Sequence, residues 1–163
     1  FACSWAFAEL KKMEGNAKII KFIARDENVH LASTTVMLKN LVKEDKDFAK
    51  IAKEMESDAV RLFESVIEQE KQWADYLFKD GSMIGLNTSI LKDYIEWIGC
   101  KRMRALSLPC PYTVSKMNPL PWTEKWIGGG NVQVAPQETE ITSYVTGGVK
   151  QDVDSSTLSG MSL

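Results

Sequence analysis

The stretch MEGNAKIIKFIARDENVH, residues 13–30, contains the clearest structural and chemical signal in the chain. It lies within a longer segment, residues 1–41, that lacks proline and is rich in Ala, Leu, Lys, Glu and Met. Such a composition favours a helix, and Gly15 is the only weak point. The pattern therefore predicts one long helix over residues 1–41. Because its first turns are apolar nearly all round, we expect this helix at the centre of a helical bundle.

Glu27 and His30 lie three residues apart at the end of the quoted stretch, and His30 is the only histidine in the sequence. This spacing places both side chains on one face of a helix. Glu-x-x-His on a helix is the unit from which di-iron carboxylate bundles are built, since carboxylate oxygens can bridge two metal ions and neutral imidazole binds one. On spacing alone, a solvated helical pair without a metal is the commoner interpretation, because Glu is frequent in helices.

The surroundings of this pair favour the metal-binding interpretation. Ile20 and Ile23 occupy the same helix face as Glu27, so the pair continues an apolar stripe. A carboxylate on a buried face needs a partner, and a metal ion is a good one. A four-helix di-iron site requires two Glu-x-x-His units and two further carboxylates, and the sequence contains no second histidine. The chain is therefore predicted to supply only part of such a site.

Two more helices are predicted downstream. A charged bend at residues 43–47 precedes a second helix that ends near Phe78, and Asn87 or Thr88 is predicted to cap a third helix that ends near Leu106. The second helix has an apolar stripe at helical spacing, which predicts that this face is core. The stripe consists of Phe48, Ile51, Met55, Leu62, Val66, Trp73 and Leu77.

The chain after the third helix divides into a collar and a tail. Prolines forbid continued helix, while Trp122 and Trp126 indicate that the segment still packs on the body of the protein as a collar. From Gly128 onward the composition becomes polar and rich in Gly and Ser, which predicts a flexible tail. We therefore expect two parts: helices plus collar in residues 1–127, and the tail in residues 128–163.

Composition excludes several classes of function. The 163 residues are 44% hydrophobic, which is enough for about one domain with a core. A net charge of −2 and a pI near 5.5 give no bulk attraction to nucleic acid. No apolar run approaches the ~20 residues that a membrane-spanning helix needs. We expect neither a nucleic-acid partner nor a membrane partner.

The cysteines and the first residue suggest a compartment and an incomplete chain. Cys3, Cys100 and Cys110 form an odd, widely spaced set, which predicts reduced thiols in the cytoplasm and no disulfide. The sequence opens at Phe1 inside an apolar helical pattern, without an initiator Met or a capping residue. We interpret the chain as a piece of something longer.

Several stretches resemble one protein family in the family's own order. MEGNAKII at residues 13–20, IARDE at 23–27 and His30 resemble the iron-binding helix of the small, radical-generating subunit of class I ribonucleotide reductase. Four further stretches also match that family, and the type resembled is the enterobacterial and T-even phage branch. They are WADYLF at 73–78, DGSMIGLN at 80–87, NPLPW at 118–122 and NVQVAPQE at 131–138, the last followed by Ser143 and Tyr144.

The resemblance implies an all-α, ferritin-like di-iron bundle, of which this chain is the C-terminal portion. Glu27 resembles the carboxylate that bridges the two irons, and His30 the histidine on the second iron. Most of the ligands and the radical tyrosine would lie upstream of Phe1. Asp26 resembles an aspartate that orients the other iron's histidine and takes part in radical and proton transfer. Phe1, Ile20 and Ile23 match the apolar pocket around the radical, and manganese could replace iron.

The resemblance also assigns roles to the tail. Tyr144 resembles the tyrosine through which the radical passes to the large subunit, and Glu138 matches a glutamate implicated in that transfer. The last residues resemble a peptide that docks into the large subunit, with Leu158, Met161 and Leu163 as apolar anchors. The implied partners are the large subunit, the missing N-terminal half of the small subunit and, when complete, a second copy in a homodimer.

The sequence thus predicts the C-terminal part of the radical-generating subunit of a ribonucleoside-diphosphate reductase, which supports reduction of ribonucleotides to deoxyribonucleotides for DNA synthesis. The fragment alone is expected to be inactive. Two alternatives stay open. One is a metal-free fragment that acts only as a docking module, and the other is a different di-iron bundle protein, such as an oxygenase.

Overall fold

The computed structural model describes residues 1–127, and this part of the chain is helical. Its only pairing of β type is an isolated bridge between Met83 and Leu86. None of the described helices is long and apolar enough to cross a membrane. The all-α class predicted from the sequence is confirmed. The helices are α1 (Ala2–Glu9), α2 (Glu14–Glu44), α3 (Lys46–Glu54), α4 (Glu56–Leu77), α5 (Thr88–Ala105) and α6 (Glu124–Ile127), with a 3-10 turn at Pro121–Thr123.

The first long helix is interrupted, so the prediction of one helix over residues 1–41 is wrong. Lys11 and Met13 adopt left-handed backbone angles, with φ of 60° and 49°, and the chain turns between α1 and α2. Left-handed geometry costs roughly 1–2 kcal/mol per residue for side chains with a Cβ. The turn lets α1 pack back against α2. We infer that the helix breaks between α1 and α2 because the packing of α1 on α2 offsets the cost of the left-handed residues.

Helix α1 contributes to two buried clusters, as its apolar circumference predicted. Trp5, only 2% exposed, packs with α2 in the group that we call the Trp5 cluster. A second face of α1, with Ala2 and Ala6, joins the group that we call the α4–α5 core. The Trp5 cluster consists of Trp5, Ala8, Ala17 and Ala24. The α4–α5 core consists of Ala2, Ala6, Ile67, Ala74, Leu86, Leu91, Tyr94, Ile95 and Leu120.

The predicted second helix is also divided. Asp45 Oδ1 accepts hydrogen bonds from the backbone N–H groups of Asp47 (2.9 Å) and Phe48 (3.0 Å), which is the arrangement of a helix N-cap. Helix α3 then ends at Glu54, and α4 begins at Glu56 after Met55 leaves helical geometry (φ −92°, ψ 4°). Helix α3 packs against α2 as well as α4. Composition alone did not reveal this break.

Helix α5 agrees with its prediction. Asn87 Oδ1 accepts a hydrogen bond from Ile90 N–H at 3.0 Å, so Asn87 is the N-cap, and the helix ends before Leu106. Helices α4 and α5 approach closely at Gly99, where an added Cβ would lie 2.6 Å from Cδ1 of Ile67. Only glycine fits this crossing without displacing Ile67. The α4–α5 pair is the main packing unit of the described chain.

The apolar stripe predicted to be the core of the second helix is largely exposed. Helix α4 instead buries Ile67 and Ala74, which lie on a neighbouring face turned toward α5. The helix has two apolar faces, and the described residues cover only one of them. The exposed members of the predicted stripe are Ile51 (56%), Met55 (50%), Leu62 (66%), Val66 (49%), Trp73 (53%) and Leu77 (40%).

The collar packs on the body of the protein, as its tryptophans predicted. Trp122 contacts both buried clusters, and the ring of Trp126 stacks on Trp5 with centroids 6.1 Å apart and planes inclined by 8°. Leu120 is buried in the α4–α5 core. Thr123 is fully buried and donates from Oγ1 to the Leu120 carbonyl at 2.7 Å. The collar is therefore part of the folded unit.

The cysteine prediction is wrong for two of the three residues. The structure joins Cys100, in α5, to Cys110, in the collar, by a disulfide, while Cys3 is half-buried and outside any disulfide. Spacing along the sequence suggested no pair, because the nine residues between the two cysteines do not show whether the chain turns back. The left-handed Ser107 (φ 62°) produces that reversal.

Candidate metal-ligand pair on the long helix

Glu27 and His30 lie in the middle of α2 and contact each other. Oε2 of Glu27 and Nδ1 of His30 are 3.3 Å apart, so the i, i+3 spacing places the two side chains together as predicted. Both are exposed, with 59% of the Glu27 side chain and 71% of the His30 side chain accessible to solvent. The described chain does not bury the carboxylate, contrary to the expectation from the apolar stripe.

The exposure follows from which face of α2 is packed. Its buried residues, Ala17 and Ala24, belong to the Trp5 cluster, and a neighbouring face carries Glu27 and His30. That second face is apolar on both sides of the pair, because Ile23 (43% exposed) precedes it and Met37 (55% exposed) follows it. The pair therefore sits on an apolar surface that nothing in residues 1–127 covers.

Within residues 1–127, no three side chains of the His, Cys, Asp and Glu types come together as a possible metal site. Glu27 and His30 provide one carboxylate and one imidazole, which suit iron or manganese but do not complete a coordination sphere. The donor chemistry fits a di-iron centre in part. A complete site would need carboxylate and imidazole ligands from outside the described residues.

Asp26 pairs with Arg25, whereas its predicted role requires contact with an iron-bound histidine and a tryptophan. Its Oδ1 accepts hydrogen bonds from Nε and Nη2 of Arg25, both at 3.2 Å, and 62% of the side chain is exposed. The guanidinium of Arg25 also lies 5.4 Å from the ring centroid of Phe22. Contact with an iron-bound histidine or a tryptophan would require a partner that residues 1–127 do not place beside Asp26.

Of the three residues predicted to line the pocket, Phe1 and Ile20 lie close to the Trp5 cluster and Ile23 does not. Phe1 is 55% exposed and its ring lies 5.9 Å from that of Trp5, while Ile20 is half-buried against the Trp5 cluster. Phe1 and Ile20 therefore lie beside the same group of side chains. Ile23 instead faces solvent on the surface that carries Glu27.

A polar clamp that sequence reasoning missed holds the collar against α1. Nζ of Lys125 lies 2.6 Å from Oε1 of Glu9, and Nε1 of Trp126 donates to the same oxygen at 2.8 Å. Burial favours a higher pKa for Glu9, but the hydrogen bonds from Lys125 and Trp126 and the nearby lysine charges outweigh it and lower that pKa. The partners lie more than a hundred residues apart, so no local signal reveals them.

A second collar contact reaches the neighbourhood of the candidate ligands. Nδ2 of Asn28 donates to the carbonyl of Ile127 at 3.4 Å, next to Glu27 in the chain. This bond ties the end of the collar to the middle of α2. The other predicted site residues, Glu138, Tyr144, Leu158, Met161 and Leu163, and the whole of the predicted tail lie outside the described residues.

Comparison with known proteins identifies the family. The family model described as ribonucleotide reductase, small chain, matches residues 1–119. The chain belongs to this family. Ribonucleotide reductase small chains have a ferritin-like helical fold, so the predicted fold class and the predicted family are both confirmed.

Individual small-chain relatives match along nearly the whole sequence. The subunit beta of ribonucleoside-diphosphate reductase from Haemophilus influenzae is 52% identical over 100% of this chain, and that of reductase 1 from Escherichia coli O157:H7 is 51% identical over 100%. The corresponding subunit from enterobacteria phage T4 is 44% identical over 94%. The predicted enterobacterial and phage branch is therefore confirmed.

This small-chain sequence covers only part of those relatives. It spans 44% of the Haemophilus influenzae and Escherichia coli proteins and 41% of the phage T4 protein. The chain is thus less than half the length of the curated relatives it matches.

Proposed function

We propose that this chain is the C-terminal part of the radical-generating subunit of a ribonucleoside-diphosphate reductase, acting in the cytoplasm in the reduction of ribonucleotides to deoxyribonucleotides. Membership of the small-chain family and the similarity to ribonucleoside-diphosphate reductase beta subunits support this activity. The observation that carries the proposal for these residues is the Glu27–His30 pair on an uncovered apolar face of α2. The other parts of the enzyme must then come from other segments.

Glu27 and His30 are proposed as ligands of a di-iron centre, with manganese as a possible substitute. Such a centre supplies the oxidising chemistry that produces a protein radical. The contribution of this chain is to hold one carboxylate and one imidazole side by side, at 3.3 Å, on a long helix. Asp26, one position before Glu27, is proposed to orient a ligand from another segment once that segment displaces Arg25 as its partner.

A complementary N-terminal half of the same fold is the proposed partner of the uncovered face. Large apolar side chains that share a surface mark an interaction site, since monomers rarely expose wide apolar patches. The face of α2 that carries Ile23 and Met37 is one such surface, and the stripe on α4 with Leu62 and Trp73 is another. Covering the α2 face would remove water from the Glu27 carboxylate, and a buried carboxylate is costly in free energy unless it is paired, for example with a metal ion. Phe1, Ile20 and Ile23 are then proposed to line an apolar pocket around the radical.

The tail is proposed to connect this unit with the large subunit. Tyr144 would pass the radical, and because a phenol with a pKa near ~10 must lose its proton on oxidation, Glu138 is proposed as the acceptor. Leu158, Met161 and Leu163 are proposed as apolar anchors in a groove of the large subunit. The division at residue 127 into body and tail belongs to the same proposal, as does a homodimer of the completed small subunit.

The test combines this chain with the upstream half of a related small subunit. Each sample receives ferrous iron and O₂, and we record bound iron and the tyrosyl radical by electron paramagnetic resonance. We expect iron and a radical in the mixture and neither in this chain alone. Glu27→Gln and His30→Gln should abolish both signals, whereas Glu54→Gln, an exposed carboxylate on α3, should leave them unchanged.

The same experiment distinguishes the alternative of a metal-free docking module. If the mixture folds and associates but binds no iron, the ligand assignment is wrong. Binding of this chain to a reductase large subunit in that case would favour the docking module. The incomplete set of ligand-type side chains in residues 1–127 is the observation that keeps this alternative in the test.

A further inference from the structure

The segment after α5 folds back along the helix that precedes it. Helix α5 ends at Ala105, Ser107 adopts a left-handed conformation (φ 62°), and Leu108 N–H donates to the Met103 carbonyl at 2.9 Å. This reversal brings Cys110 beside Cys100, with their Cα atoms 5.3 Å apart, within the range that a disulfide spans. The pair therefore results from a defined turn.

The two cysteines of the disulfide, Cys100 and Cys110, differ in their access to solvent. Cys100 is completely buried within α5, whereas Cys110 is half-buried in the collar. A reagent from solvent can approach Cys110 but not Cys100. Cys3, the third cysteine, packs against the α4–α5 core and is outside the disulfide. Burial raises the pKa of the Cys3 thiol, which lowers its reactivity.

The disulfide fixes the start of the collar to α5, beside the place where the collar packs on the α4–α5 core. Tyr112, two residues after Cys110, packs against the α4–α5 core, and Nζ of Lys71 in α4 lies 5.7 Å from its ring centroid. Beyond it, the collar continues to Leu120 and to the clamp on Glu9. Besides the disulfide, the hydrogen bonds of residues 106–111 are those that the N–H groups of Leu106, Ser107 and Leu108 donate to the end of α5, and a contact of 3.6 Å from Cys110 Sγ to the Tyr112 carbonyl.

We propose that Cys100 and Cys110 form a reversible redox switch that locks and releases the first part of the collar, residues 106–112. Disulfides are rare in the cytoplasm, and those that occur there in mesophiles are mostly redox-sensing or catalytic. A pair that the fold brings within bonding distance, with one sulfur reachable from solvent, has the geometry of such a sensor. The cysteine geometry lies within residues 1–127, whereas the premise of a reducing compartment rests on the cytoplasmic location given under the proposed function. The thiol–disulfide exchange itself requires no reductase activity, so the test below can fail or succeed separately from that proposal.

A small thiol can reduce the Cys100–Cys110 disulfide in two steps of thiol–disulfide exchange. A thiolate attacks the sulfur of Cys110, a mixed disulfide forms there, and Cys100 leaves as a thiolate that takes up a proton. A second thiol then attacks the external sulfur of the mixed disulfide, which releases Cys110 as a free thiol and a small-molecule disulfide. Two electrons pass from the two small thiols to the protein disulfide. A small-molecule disulfide reverses both steps.

The test compares the oxidised and reduced full chain in glutathione buffers of different ratios of reduced to oxidised form. Alkylation and peptide mass spectrometry measure the linked Cys100–Cys110 peptides, and hydrogen exchange measures protection of residues 106–112. We expect a single two-thiol transition, with exchange in this segment about tenfold or more faster after reduction. Exchange in α2 should stay the same.

Two variants serve as controls. Cys110→Ser should show the fast exchange of the reduced chain at every glutathione ratio, and Cys3→Ser should reproduce the transition of the original chain. The proposal is overturned if both thiols remain alkylatable in fully oxidised glutathione. It is equally overturned if the disulfide forms but hydrogen exchange at residues 106–112 is the same in both states.

Discussion

Trp126 donates a hydrogen bond from its indole Nε1 to Oε1 of Glu9, at 2.8 Å, across 117 positions of the sequence. The same indole ring stacks on Trp5, which is buried one turn before Glu9 in α1. One side chain of the collar thus makes both an apolar and a polar contact with α1. Because α1 is linked to α2 by a turn with two left-handed residues, this double contact helps to hold α1 against the long helix.

Glu9→Gln is expected to destabilise the fold by about 1 kcal/mol, after allowance for the solvent that reaches the ion pair. The folded state lowers the pKa of Glu9, so its contribution is complete above the unfolded value of 4.5 and is lost as the pH falls through the folded value. Urea unfolding between pH 3 and 7, followed by tryptophan fluorescence, measures the difference. The difference between original and variant should therefore shrink below about pH 4.5. A constant difference would contradict this assignment.

Gly99→Ala is expected to destabilise the α4–α5 pair by about 1–3 kcal/mol, although alanine is the better helix former. The new Cβ would lie 2.6 Å from Cδ1 and 2.9 Å from Cγ1 of Ile67, which is itself buried. Thermal unfolding of G99A, I67A and the double variant forms the test. The cost of Gly99→Ala should be smaller in the I67A background. Additive effects would show that the cost of Gly99→Ala does not arise from contact with Ile67.

The ion pair of Lys71 with Glu96 is expected to couple α4 and α5 more strongly than the pair of Lys92 with Asp75. Both pairs have an N–O distance of 2.7 Å, but only the first has both side chains mostly covered, at 22% and 25% exposure. Double-mutant cycles with Lys→Met and carboxylate→amide changes should give about 1 kcal/mol for the first pair and less for the second. Equal coupling would mean that burial does not distinguish them.

The pH dependence of the first pair provides a separate check. The hydrogen bond with Glu96 raises the pKa of Lys71, in spite of partial burial. Its stabilising contribution is therefore complete below the unfolded lysine value, near ~10.4, and is lost as the pH rises through the folded value. The stability difference between the original chain and Lys71→Met should be constant from pH 7 to 9 and should fall above pH ~10.

Leu62→Ser on the exposed stripe of α4 is expected to change the stability of this chain by less than about 0.5 kcal/mol, because Leu62 is 66% exposed. The same change should weaken association with a complementary upstream half, measured by analytical ultracentrifugation. Ile67→Ala on the packed face is the matched control, with an expected loss of about 2–5 kcal/mol of stability. A large loss of stability from Leu62→Ser in the isolated chain would mean that this face is already covered.

Features that depend on neighbouring residues were predictable from the sequence. The Asn87 cap and the extent of α5 follow from local hydrogen bonding and helix periodicity. The contact between Glu27 and His30 follows from their i, i+3 spacing on one helix. The packing of the collar followed from Trp122 and Trp126, because such large apolar rings are strongly driven out of water.

Features that depend on distant residues were decided only by the tertiary structure. The break between α1 and α2 exists because Trp5 packs on α2 and under Trp126, and the pairing of Cys100 with Cys110 depends on the reversal at Ser107. Periodicity predicted apolar faces on α2 and α4 but not which of them this chain would fill. Helical spacing reports that a face is apolar, whereas its burial depends on which segments are present to cover it. The sequence alone therefore determined the helical class, the extent of α5 and the pairing of Glu27 with His30. The tertiary structure decided where the first two predicted helices break and that this pair lies on an uncovered surface of residues 1–127.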